Sequence, residues 1–313
     1  MSEKKSLLSA GAKIAGRNKR YVIWFYLLNL TLASFGAAAF RNQAHAILDH
    51  SLYADKLLHG FHLIVLLELL ARPDFGPTNA STMPAFYFAL LFFLATMLFL
   101  PGVLLGYASD HRLPRYEFYR TCGQNIWRFV RLFLFFVIIA GPITGILGAA
   151  KNALAKAADQ TSNERLPFFT QLVCLIIIFL VLTAIRIWFD LAQTRVVIRD
   201  EGKVRKSIAA AYRSMKHQRV RLLGSYVLIA FLAVIALIVG IWIWIKIVPA
   251  ASVLGAFIVG QVILLVWLAA RFWQRACAVA FYLEYENETP VETLSVPETV
   301  APIMPGAQPS PAV

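Results

Sequence analysis

The sequence predicts an all-α fold: a polytopic membrane helical bundle with six transmembrane helices. Three observations predict it. Of the 313 residues, 59% are hydrophobic and 15% charged, with a positive mean hydropathy, which is too apolar for a water-soluble chain of this length. Six stretches reach the roughly twenty apolar residues a helix needs to cross hydrocarbon, where lipid offers no partner to backbone N–H and C=O groups. Finally, Lys and Arg concentrate in alternate connections between those stretches.

The stretches cover about 21–40, 84–107, 129–149, 167–189, 222–247 and 252–274. Residues 1–20 form a basic N-terminal segment, and 21–274 form the six-helix membrane domain. A basic leader followed by an apolar run and small residues also resembles a signal peptide, but leader and run are both long for one, so 21–40 is read as a span. N-terminal sequencing of the mature protein decides between the two. Residues 57–72, "LLHGFHLIVLLELLAR", are apolar but short for a span and carry His59, His62 and Glu68. They are read as part of an outer helical excursion at 45–72, interfacial or re-entrant. A crossing there would invert everything that follows. Trp24, Trp242, Trp244, Trp267 and Trp273 fall near span ends, where aromatic rings settle at the membrane interface. "KIVPAAS" makes the last two spans a tight antiparallel hairpin. "GPITGILG" sets Gly141 and Gly145 four apart, a spacing that admits a close helix neighbour.

The charge bias orients the spans. One side holds six Lys and Arg before the first span, five from Arg112 to Arg131, ten from Arg186 to Arg221, and Arg271 and Arg275, 23 in all against seven on the other side. Cationic side chains resist translocation, so both termini are expected in the cytoplasm of a bacterium, with the spans in its inner membrane. The tail, 275–313, is acidic and Pro-rich and is expected to be largely disordered. From about Tyr285 it holds Glu286, Glu288, Glu292, Glu298 and six prolines, but no Lys or Arg. The net charge of +13 is interleaved with lipid-length segments rather than gathered on a soluble face, so no nucleic-acid partner is expected. Three widely spaced cysteines, Cys122, Cys174 and Cys277, indicate buried thiols rather than a disulfide framework.

The most basic loop contains the candidate site. Val204, Ile208, Ala211, Tyr212 and Met215 follow helical spacing, while Lys203, Arg205, Lys206, Arg213 and Lys216 occupy other faces. A basic amphipathic helix at 203–219 is therefore expected, lying apolar face down on the inner leaflet with its cations near anionic headgroups, or meeting a partner protein. Before it, "RDEG" reads as a turn in which Gly202 frees the backbone. Arg186 and Asp190, four apart at the end of the fourth span, are a candidate structural ion pair. Asn29, Thr96, Thr183 and Gln261 are the polar groups inside spans, each explicable by interhelical hydrogen bonding.

Other chemistry was weighed at two places. His45, His50, His59 and His62, with Asp49, Asp55 and Glu68, raise the reading of an outer-surface metal enzyme, but no HExxH or other established ligand spacing is present. Nor is there a GxSxG elbow or a P-loop, and no enzyme activity, cofactor or metal is expected.

The run "FDLAQTRVVIRDEGKVRKSIAAAYRSMKHQRVRLLGSYVLIA", with the exit "AVAFYLEYENE" from the last span, resembles a broad group of bacterial six-span proteins of unassigned function. It is also similar to the membrane domain that accompanies some glycerophosphodiester phosphodiesterases. The resemblance implies the six-helix fold, with a basic helix leading into the fifth span. It does not carry over phosphodiesterase activity, since the soluble catalytic barrel is absent. The expected function is thus a noncatalytic scaffold or accessory subunit contacting anionic lipid or a membrane partner protein. The alternatives are a carrier or permease for a small or lipidic molecule, with a cavity near Asn29 and Gln261, and the outer-surface metal enzyme.

Overall fold

Each apolar stretch falls, to within a residue, inside one helix. The computed structural model describes residues 6–48, 82–109, 111–160, 165–200, 202–249 and 252–288. Among them stand α1 (Leu7–Arg17), α2 (Lys19–Leu48), α3 (Thr82–Ala108), α4 (Arg115–Asp159), α5 (Leu166–Ile198), α6 (Val204–His217), α7 (Arg219–Lys246) and α8 (Val253–Glu288). Six of these, α2, α3, α4, α5, α7 and α8, are long and apolar enough to cross a membrane. Several extend far past that need. The 45 residues of α4 measure about 68 Å at 1.5 Å per residue, over twice the ~30 Å hydrocarbon layer.

Neighbouring helices alternate in direction. Tyr21 of α2 meets Gly106 and Tyr107 of α3, while Gly36 meets Phe88, so α2 and α3 run antiparallel. Leu48 and Thr82 therefore stand at the same end. Most of the expected excursion at 45–72 lies outside the described residues. Cys122 against Gly102, with Phe133 against Phe93, sets α4 antiparallel to α3, and Phe136 against Phe189 sets α5 against α4. Arg221 with Glu284, and Gly240 with Ile263, do the same for α7 and α8. The result gathers α1, α6, the start of α4 and the ends of α5 and α8 at one end, which is also the basic end.

The core is concentrated there. Tyr107, Tyr226, Phe129, Phe272 and Phe281 are the largest fully buried side chains. By contrast, the most apolar window of α8 has 0% of its residues buried and that of α3 only 28%, so most spanning surface faces outward, as in lipid. α1 completes the core. Its Leu7 and Gly11 pack on Cys277, the Trp273 indole N–H donates to the Leu8 carbonyl at 3.1 Å, and Asn18 breaks the helix before α2. The loop after α3 is tied down by cations of this segment. Arg17 donates to the Ser109 carbonyl at 2.6 Å, Asn18 to that of Gly106 at 3.3 Å and Arg20 to that of Leu113 at 3.5 Å.

The structure departs from the sequence reading at several places. The segment 275–288, expected in the tail, continues α8, because Ala276, Cys277, Ala278 and Val279 are fully buried against the bundle. Residues 289–313 lie outside the described residues. Among the described residues a Cβ at Gly141 or Gly145 would meet nothing within 4 Å, so none of them is the expected close neighbour. The close approaches lie instead on α3, where Gly102 faces Phe118 and Cys122 and Gly106 faces Tyr21. Thr96 spends its hydroxyl on its own helix, donating to the Phe92 carbonyl at 2.8 Å rather than to a neighbour. And the turn into α6 is made at Asp200, whose φ is 50°, a conformation Asp tolerates; its carboxylate pairs with Arg128 of α4. The chain also bends at Gly202, as expected, though the positive φ falls on Asp200.

Candidate functional site: the cationic face of α6 and its groove

Residues α6 turns toward the bundle are apolar or small. Val204, Ser207, Ile208, Ala210, Ala211 and Ser214 are buried, Met215 is half-buried, and the Trp188 indole N–H of α5 donates to the Ile208 carbonyl at 2.8 Å. This corrects one expectation. The apolar face is occupied by protein, so α6 does not lie with that face in the leaflet. Tyr212 also departs from the apolar set. It is 47% exposed and stacks edge-on to Trp188, with ring centroids 5.4 Å apart.

Lys203, Arg205, Lys206, Arg213 and Lys216 are all exposed, and among the described residues no carboxylate stands within ion-pair distance of any of them. Some cations at this end are engaged by the fold: Arg128 by Asp200, Arg221 by Glu284 at 2.9 Å, and Arg17 and Arg20 by carbonyls. Lys203, at the N-cap of α6, and the four cations on the helix are not engaged in this way among the described residues.

A groove of about 530 Å³ runs beside this face. Phe135 of α4 and Trp188 of α5 form one wall; Ile208, Ala209 and Tyr212 of α6 form the other. Arg205 and Arg213 stand along it, and the Arg205 guanidinium lies over the Phe135 ring at 5.8 Å. Eight residues apart, they are separated by about 12 Å along the helix axis. The sequence signalled the arginines but not the groove, whose aromatic wall comes from two other helices, Phe135 of α4 and Trp188 of α5.

The second constellation is the ion pair. Arg186 Nε lies 3.7 Å from Asp190 Oδ2, and Asp190 is 7% exposed. Tyr226 of α7 donates its O–H to the same oxygen at 2.9 Å, the Arg186 guanidinium lies 6.0 Å from the Tyr226 ring, and Gln274 of α8 donates to the Tyr226 carbonyl at 3.0 Å. The carboxylate thus joins α5 to α7, and Gln274 ties α8 to the backbone of the same Tyr226. Tyr226 and Gln274 have no sequence signal of their own.

The other candidates disperse. Gln261 accepts from the Tyr26 hydroxyl at 3.1 Å, an α2–α8 bond, and Asn29 is half-buried one turn along. His50, His59, His62, Asp49, Asp55 and Glu68 lie outside the described residues, as does the side chain of His45. Among the described residues no group of three or more His, Cys, Asp or Glu is placed to hold a metal. No family model matches the chain, and neither a curated protein nor a solved structure matches it.

Proposed function

We propose that this protein is a noncatalytic scaffold or accessory subunit of a bacterial inner membrane, with both termini in the cytoplasm, that holds anionic inner-leaflet lipid along α6. A membrane partner protein would meet the same face. Kinship with six-span proteins and with the membrane domain of glycerophosphodiester phosphodiesterases belongs to the same proposal. One observation carries it: five cations stand exposed on a helix whose apolar side is already buried, so their charge is directed outward. Near an anionic leaflet each such cation contributes about 1 kcal/mol of attraction, falling off within a Debye length. The bias of 23 cations to seven supports the cytoplasmic assignment of that end.

The test reconstitutes the full chain in bilayers of phosphatidylglycerol and phosphatidylcholine and reads its lipid shell from quenching of the tryptophans by brominated lipid. The expected result is a preference for the anionic lipid that falls with salt and is lost when Lys203, Arg205, Lys206, Arg213 and Lys216 are all changed to Gln. No preference, or one the five-fold variant retains, removes the reading. A reporter at Gly202 that proves periplasmic removes its orientation.

A further inference from the structure

We infer that the groove between α4, α5 and α6 is a stoichiometric binding site for one anionic phospholipid, with an acyl chain on the aromatic wall and the phosphate between Arg205 and Arg213. This rests on the lipid contact proposed above and narrows it from a charged surface to a built site.

The two halves of the groove differ in chemistry in the way a phospholipid does. Its walls are Phe135, Trp188, Ile208, Ala209 and Tyr212, which offer a chain apolar area and flat rings. The Trp188 indole N–H is already bonded to the Ile208 carbonyl, so the ring presents its apolar face. Phe135 lies seven residues, about 10 Å, further along α4 than Arg128, toward the apolar part of the span. The polar groups along the groove are the two guanidiniums and the Tyr212 hydroxyl. Arginine matches phosphate oxygens in a bidentate fork, and it is less strongly hydrated than lysine, so it suits a headgroup at the edge of hydrocarbon.

Charge selects the headgroup. No carboxylate lines the groove, and the nearest described one on this turn, Asp200, is held by Arg128. A zwitterionic headgroup would therefore bring its ammonium among Arg205, Arg213 and the neighbouring Lys206 with no partner, whereas phosphatidylglycerol would bring only the phosphate. Ala209 sits between the arginines, one turn from each, with the smallest side chain of the wall.

The test is native mass spectrometry of the full chain, purified in a non-ionic detergent, titrated separately with phosphatidylglycerol and phosphatidylcholine. The expected result is saturation at one phosphatidylglycerol per chain, about tenfold or more tighter than phosphatidylcholine. Ala209→Trp, which fills the groove without changing charge, abolishes it; Ala209→Leu weakens it. Arg205→Gln with Arg213→Gln weakens phosphatidylglycerol about tenfold or more and brings it level with phosphatidylcholine. Arg115→Gln with Arg120→Gln, an equal loss of exposed charge elsewhere at this end, leaves it unchanged. Thiol labelling of the buried cysteines checks the fold of each variant. If both Ala209 variants open the cysteines, the comparison of the two arginine pairs decides. Unchanged binding in a folded Ala209→Trp chain, equal binding of the two lipids, or equal loss in both arginine pairs overturns the groove. Bilayer preference that survives in Ala209→Trp but vanishes in the five-fold Gln variant leaves the proposed function standing without it.

Discussion

Removing the Tyr226 hydroxyl, by Tyr226→Phe, tests how strongly the Asp190 carboxylate ties α7 to α5. The O–H donates at 2.9 Å to Asp190 Oδ2, a group 7% exposed, and a hydrogen bond to a charged acceptor contributes about 1.5–3 kcal/mol net. Arg186 remains beside the carboxylate at 3.7 Å, so a loss of about 2 kcal/mol is expected. Asp190→Asn keeps the shape and removes the charge. At that distance and an effective dielectric near 20, the gross attraction is about 4 kcal/mol. The Arg186 side chain is 27% exposed and recovers part of its solvation, leaving a net cost of about 2–3 kcal/mol. The two changes act on one oxygen, so the double variant is expected to fall short of their sum by about 1 kcal/mol. Cys122, Cys174 and Cys277 are all buried and free, which makes a thiol-reactive fluorophore a direct reporter of unfolding in a denaturing-detergent titration. A cost below about 0.5 kcal/mol for Tyr226→Phe, or strict additivity with Asp190→Asn, would refute the reasoning.

Two further changes probe the short helices. At Gly11 a Cβ would collide with Cys277 Sγ and approach its backbone N and Cα at 3.0 and 3.1 Å, so Gly11→Val is expected to lift α1 at a cost of about 1–3 kcal/mol. Mass spectrometry should then find Cys277 labelled before Cys122 and Cys174, and Gly16→Val, where nothing lies within 4 Å, should leave the order unchanged. Trp188→Phe strips the donor from the Ile208 carbonyl and should weaken α6 docking by about 1–2 kcal/mol, read as faster hydrogen exchange across 204–217 with 219–246 unaffected.

What the sequence disclosed and what it withheld follow from the range of each signal. Apolar length is local, so all six spanning helices were legible, as was α6 within a residue or two of its bounds. Arg186 and Asp190 were legible because four residues on one helix bring two side chains together. Tyr226 and Gln274 were not, since they reach Asp190 from 36 residues away and, at one remove, from α8. α1 went unread because its positive charge drew the attention, although Leu7, Gly11 and Ile14 recur at helical spacing. Gly102 and Gly106 carried the same four-residue spacing as Gly141 and Gly145. Spacing alone could not say which pair meets a neighbour, because that depends on how α3 and α4 cross. The facing of α6 was misread for a related reason: amphipathicity states that one face is buried without stating whether lipid or protein buries it.

That last point bears on why this end of the molecule holds the site. Between helices in hydrocarbon there is no hydrophobic driving force, since lipid tails are as apolar as Leu. Burial against water becomes effective only where helices project beyond the bilayer. The projecting parts of α4, α5 and α8 are where the core lies, and α1 and α6, both short, close it. Cohesion and charge thus meet at one end, and the cations there divide into two sets. Arg17, Arg20, Arg128, Arg186 and Arg221 are consumed by carbonyls and carboxylates of the fold. Counting charges for orientation treats both sets alike, yet only the cations outside those bonds, among them Arg205 and Arg213 on the outer face of α6, remain available to a ligand. The cost of Tyr226→Phe should therefore be insensitive to lipid charge, whereas the binding lost with Arg205 and Arg213 should depend on it.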